Sequence, residues 1–246
     1  MARLKTAVLL SGRGSNLQAL IDAALEKEFP AKIVRVISNV PGASGLDRAE
    51  KVGIPTTTID HREFDGREPF EASLQTELQN AGVELVCLAG FMRLLTKSFV
   101  DRWHDRIINI HPSLLPSYKG LHTHERVVAD GVRFTGCTVH FVRAEMDTGP
   151  IIVQAAVPVH PGDDADALAA RVLMAEHRCY PLALRLVAGG KTRVIGDRVE
   201  VLVDGNEVTI ELVAKRQTEL VRRGRGRAPK ILAANLDHVF VVIALR

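Results

Sequence analysis

Residues 6–24, TAVLLSGRGSNLQALIDAA, decide the fold. Thr6–Leu10 is a short run of small and aliphatic residues and reads as a buried strand. Ser15–Lys27 carries Leu17, Leu20, Ile21 and Ala24 at spacings of three and four, the pattern of an amphipathic helix. Between them lies Ser11-Gly12-Arg13-Gly14-Ser15-Asn16. Its glycines let the backbone approach an anion, and the helix start offers unpaired N–H groups and the positive end of a dipole. Ser15 or Asn16 can cap the helix or bond a phosphate directly. Leu17 follows Asn16, so the spacing is not a full G-x-G-x-x-G, and a single phosphate suits it better than a dinucleotide. The structural alternative is a tight turn with an ordinary N-cap.

Working outward, strand and helix patterns alternate. Ile33–Ile37, Thr56–Ile59, Leu85–Ala89 and Arg106–Ile110 read as strands, and Ala43–Val52 and Arg67–Ala81 as helices. This order predicts an α/β, Rossmann-like fold, a mostly parallel sheet with helices on both faces. After Gly136 the pattern changes. Cys137–Val142 and Ile151–Val159 are extended segments that the MDTGP turn can pair antiparallel. Ala165–Val187 is a long helix with Leu168, Val172, Ala175, Cys179, Leu182 and Leu186 along one face, ended by Gly189-Gly190. Thr192–Ile195, Arg198–Val203 and Glu207–Val213 follow as short C-terminal antiparallel strands, and the chain end, Ile231–Leu245, is strand-like.

Composition bounds the function. The 246 residues are 46% hydrophobic and 25% charged, enough to bury a core. Three dispersed cysteines, Cys87, Cys137 and Cys179, argue against a disulfide scaffold or a cysteine-based zinc site and for a reducing, cytoplasmic setting. Neither a secretory signal nor a membrane-spanning run is expected. The net charge of +3 is unevenly spread: residues 215–246 carry eight basic and two acidic residues, so the rest of the chain is slightly acidic. A basic whole-chain balance is therefore no argument for nucleic-acid binding by the main domain. The expected division is 1–212 as the main domain and 213–246 as a basic extension.

Two further segments carry chemistry. In Asn109-Ile110-His111-Pro112, residues two apart in a strand share a face, so Asn109 and His111 stand together at the C-terminal sheet edge, where open α/β folds bind ligands. An amide can donate to a developing oxyanion, and an imidazole can move a proton near neutral pH. A histidine satisfied by the backbone is the alternative. Asp147, in Met146-Asp147-Thr148-Gly149-Pro150, reads either as a turn residue or as a carboxylate partner for His111. His122 and His124 form an H-x-H pair without an evident third ligand, so no metal is expected.

SGRGSN (11–16), AGFMRLL (89–95), INIHPSLLPSYKGLHTH (108–124), GCTVHFV (136–142) and MDTGPII (146–152) together resemble the folate-dependent phosphoribosylglycinamide formyltransferase family, in order over residues 5–195. The resemblance implies formyl transfer from 10-formyltetrahydrofolate to the amine of 5′-phosphoribosylglycinamide in purine biosynthesis. It implies Asn109, His111 and Asp147 as the catalytic trio. It places the ribonucleotide on Gly14, Ser15, Asn16 and Glu176. It places the folate on Arg67, on Met92, Arg93, Leu94 and Leu95, and on Arg143, Ala144, Glu145 and Met146. Small-molecule substrates, no membrane, no nucleic acid for the main domain, and a monomer or homodimer are expected. The alternatives are a formyltetrahydrofolate hydrolase, which is expected to carry an N-terminal regulatory domain, and a non-catalytic nucleotide-binding module. KRQTELVRRGRGRAPKILAANLDHVFVVIAL, from Lys215, resembles a segment of ribosome-associated small GTPases, without a phosphate loop; it reads as a partner-binding tail of unknown partner, a gene-fusion or frame-error remnant, or a flexible basic extension.

Overall fold

In a computed structural model, residues 2–202 are described, together with the backbone of 211–213 and 239–242. The chain opens with β1 (Leu4–Leu10), α1 (Ser15–Ala24), β2 (Ala31–Ser38), α2 (Gly45–Glu50) and β3 (Thr56–Thr58). Next come α3 (Arg67–Asn80), β4 (Leu85–Leu88), α4 (Lys97–Arg102), β5 (Ile107–His111) and α5 (Thr123–Ala129). The antiparallel strands β6 (Phe134–Phe141) and β7 (Ile151–Pro158) precede the long helix α6 (Ala165–Ala188) and the hairpin β8 (Thr192–Ile195) and β9 (Arg198–Val201). The last described strands are β10 (Glu211–Val213) and β11 (Val239–Val242).

The main sheet has the order β10-β11-β7-β6-β5-β4-β1-β2-β3. Strands β3, β2, β1, β4 and β5 pair in parallel, and every pairing beyond β5 is antiparallel. The alternating faces of β1 explain the layers. Val8 and Leu10 enter a core with α1, α2 and α6, whereas Ala7 and Leu9 enter a second core with Phe70, Leu74 and Leu78 of α3 and Phe99 and Val100 of α4. The sheet is thus apolar on both sides, as a parallel sheet covered by helices requires.

Most expected elements are present within a few residues of their expected ends. The β6–β7 pair is antiparallel around the MDTGP turn as read. Helices α4 and α5 are additions to the sequence reading. They span six and seven residues, too few for a periodicity to emerge. The Thr96 hydroxyl accepting from the Phe99 amide is the cap that marks the start of α4. Helix α6 buries Leu168, Val172, Ala175 and Cys179 as expected, then Tyr180, Ala183 and Leu184, leaving Leu182 and Leu186 only partly buried. A strict four–three repeat drifts off the axis of a 3.6-residue helix, and the buried stripe follows the helix. All of the basic run 215–230 and most of the expected extension lie outside the described residues. No helix among the described residues is long and apolar enough to cross a membrane.

Candidate active site

The change from parallel to antiparallel pairing at β5 builds the site. Register sets Asn109 opposite His140 and His111 opposite Thr138. The β6–β7 turn then swings Asp147 over the same edge. Asp147 lies at φ 54°, a left-handed conformation that aspartate tolerates better than most residues. Its Oδ2 accepts the Gly120 amide at 2.8 Å and stands 3.4 Å from His111 Nδ1, with both side chains more than 90% buried. The structure therefore brings Asn109, His111 and Asp147 together.

Proton placement follows from the partners. His111 Nε2 is 2.9 Å from the Tyr118 carbonyl, which can only accept, so Nε2 carries a hydrogen. The other ring nitrogen, Nδ1, is the one that faces the Asp147 carboxylate. His140 is different. Its Nδ1 lies 2.9 Å from the Phe141 carbonyl and must donate, which leaves Nε2 as an acceptor. Asn109 Nδ2 lies 3.3 Å from that Nε2. This orients the carboxamide, with its second N–H left for another acceptor. Burial pushes the His140 pKa down, so the ring is neutral. Its 3.8 Å approach to Asp147 Oδ1 is accordingly no ion pair. His140 was not singled out from sequence; its only signal was its place in the alternating strand GCTVHFV.

These groups form one wall of a cleft of about 480 Å³. The rest is largely apolar: Phe91, Met92, Leu94, Leu95, Val142 and Met146, with Arg93 and Arg143 among them. Met92 and Leu94 are 67% and 60% exposed, an unusual presentation of large apolar side chains and a sign that a ligand covers them. Arg93 Nε is buried without a hydrogen-bond partner, while the Arg143 guanidinium is held by Asp105 at 2.7 Å. Ala144 also lines the cleft. Arg67 and Glu145 are exposed and stand outside the lining residues, Arg67 in the first turn of α3. His122 is exposed beside Glu125, and His124 is only partly buried.

The 11–16 turn adjoins this cleft without lining it. Gly14 is the N-cap of α1, at φ 67°, and no side chain caps the helix. Neither Ser15 nor Asn16 takes the capping role the sequence allowed them. A Cβ on Gly14 would come within 2.7 Å of the Gly45 Cα, so glycine is required both for the backbone angle and for the approach of α2. The first amides of α1 stay free of intrahelical bonds and of side-chain caps, an anion cradle by geometry. Asn16 instead donates from Nδ2 to Glu176 Oε2 at 2.7 Å, across 160 residues of sequence.

Glu176 is a carboxyl in the buried stripe of α6. Burial pushes its pKa from 4.5 up to about 7, and the Asn16 hydrogen bond offsets part of this. The native state keeps this proton through a range, between 4.5 and about 7, where the unfolded chain has released it. The contribution is favourable below the lower value and is lost as pH rises through the upper one. Glu176→Gln is therefore expected to be more stable than wild type at pH 8, by up to about 3 kcal/mol, and equal to it at pH 4. Urea unfolding at the two pH values checks this; an equal gain at both would show that ionisation is not the cause.

Residues 4–184 match the family model described as formyl transferase. The chain is 46% identical over 187 residues to the Escherichia coli (strain K12) phosphoribosylglycinamide formyltransferase, covering 76% of this chain and 88% of that protein. It is 52% identical over 192 residues to the Gallus gallus trifunctional purine biosynthetic protein adenosine-3, covering 78% of this chain but only 19% of that relative's length. The crystal structure of glycinamide ribonucleotide transformylase 1 from Symbiobacterium toebii superposes with a TM-score of 0.80 at 45% identity, covering 82% of this chain and 95% of that one.

Proposed function

This chain belongs to the formyl transferase family, and on that premise we propose that it transfers the formyl group of 10-formyltetrahydrofolate to the amine of 5′-phosphoribosylglycinamide. The observation that carries the reading is the convergence of Asn109, His111 and Asp147 on one wall of an apolar cleft. A flat heteroaromatic co-substrate suits Met92, Leu94, Leu95 and Met146, and Arg93 has an unused buried donor for a polar group. The amides that open α1 suit a phosphate monoester, and the carboxyl of Glu176 suits a sugar hydroxyl.

The chemistry follows from those groups. The amine attacks the formyl carbon, and the carbonyl electron pair moves onto oxygen. The free N–H of Asn109 is the donor that the oxyanion needs, and the His111 ring, with its Nδ1–H turned to Asp147, sets positive charge beside it. Asp147 holds that imidazole hydrogen in place and receives the amine proton, directly or through one water. Collapse of the oxyanion breaks the bond to folate N10, which takes up a proton. The products are the formamide and tetrahydrofolate.

The test is a formyl-transfer assay with 10-formyltetrahydrofolate and the ribonucleotide, with tRNA and water as competing acceptors. Consumption of the formyl donor should depend on the ribonucleotide. Equal consumption without it would assign the chain to hydrolysis instead.

A further inference from the structure

Ser11 ends up between the two half-sites. Its backbone N–H donates to the Gly90 carbonyl at 3.0 Å, joining the end of β1 to the segment after β4. The hydroxyl adds a second link. Ser11 Oγ accepts the Met92 amide at 2.8 Å and donates to Asn39 Oδ1 at 2.5 Å. A hydroxyl has one hydrogen, and an amide N–H can only donate, so the direction from Met92 through Ser11 to Asn39 is unique. Asn39 is buried and held in turn by His61, whose Nδ1 lies 2.9 Å from the Asn39 carbonyl. The far end of this chain is buried, and the near end reaches the exposed Met92. Residues 91–96 have no regular secondary structure; Phe91 and Leu95 are buried and Thr96 donates its amide to Glu71, whereas Met92 and Leu94 between them are exposed, and the Met92 amide is tied back by Ser11.

On its other side Ser11 opens the anion cradle: the Gly12 carbonyl accepts the Gly45 amide at 3.0 Å, and Gly14 caps α1. A phosphate seated on residues 12–16 and a ring seated on residues 91–95 therefore act on the same serine. We propose that Ser11 is a positioning residue that couples the two: occupation of the 12–16 turn orders the 91–95 segment and tightens the ligand that the segment holds. The identity of the ligands rests on the function proposed above; the coupling itself rests only on the geometry.

Two measurements separate these. In hydrogen exchange, inorganic phosphate should slow exchange of peptides covering residues 91–95 in the wild-type chain. It should have no such effect in Ser11→Ala, and Ser11→Thr, which keeps the hydroxyl, should restore it. In equilibrium binding, 5′-phosphoribosylglycinamide should tighten tetrahydrofolate about 5- to 10-fold in wild type and less than about 2-fold in Ser11→Ala. Phosphate-independent exchange in wild type, or a coupling factor unchanged in a folded Ser11→Ala, overturns the proposal. Phosphate-dependent exchange without tetrahydrofolate binding leaves the coupling standing and overturns the folate reading.

Discussion

Asp147→Asn is expected to lower turnover by about two to three orders of magnitude while changing ribonucleotide affinity by less than about threefold, with Asn109→Ala behaving alike. Asparagine is the sharp substitution at 147. It has the same size, tolerates the left-handed backbone at φ 54°, and keeps an oxygen for the Gly120 amide. The charge is removed, and one acceptor oxygen becomes an amide donor. That charge faces His111 Nδ1 at 3.4 Å in a nearly buried setting, where no solvent dipole replaces it. The His111 ring then faces a neutral amide instead of a carboxylate, and the amine proton loses its acceptor. At position 109 the loss is of a donor that His140 has already aimed. Neither residue touches the 11–16 turn or Glu176, so ribonucleotide binding is spared. Single-turnover kinetics beside equilibrium titration separate the two quantities, and unchanged turnover in either variant removes that residue from the reaction.

How far the sequence reaches is set by which contacts are local. The strand–turn–helix of residues 6–24 was legible because its periodicity and glycines are local, and the pairing of Asn109 with His111 because a strand repeats every two residues. His140 was not legible. Its role depends on β6 lying beside β5 with Asn109 opposite it, and neither neighbour nor register is written in the local pattern. Asn16 and Glu176 meet across 160 residues, and only a charged residue in an otherwise apolar helix face hinted at it. The same limit applies to Arg67 and Glu145, which came from resemblance alone and stand outside the cleft lining. Short helices such as α4 are decided by packing and a single cap.

A large loss of stability is expected at Gly149, a position that tests whether the site and the fold share one support. A Cβ there would sit 1.7 Å from the Phe141 carbonyl oxygen, far inside van der Waals contact, with backbone on both sides of the clash. Nothing flexible can yield, so β6 or the 143–150 turn must move. The Phe141 carbonyl also accepts from His140 Nδ1, and the Phe141 amide donates to Pro150 at 2.9 Å. Displacing it loosens the ladder and frees His140, and with it the aim of Asn109. Gly149→Ala should therefore destabilise by about 3 kcal/mol and lose turnover in whatever fraction remains folded. Gly136→Ala is the control. Its Cβ would sit 1.8 Å from the Ala155 carbonyl oxygen, an equal clash in the β6–β7 ladder but away from the cleft. It should lose a similar amount of stability, a drop in Tm of roughly 6–12 °C, yet keep specific activity per folded molecule. If Gly149→Ala melts within about 2 °C of wild type, or if the two variants lose specific activity equally, the turn does not carry the site in the way the carbonyl of Phe141 implies.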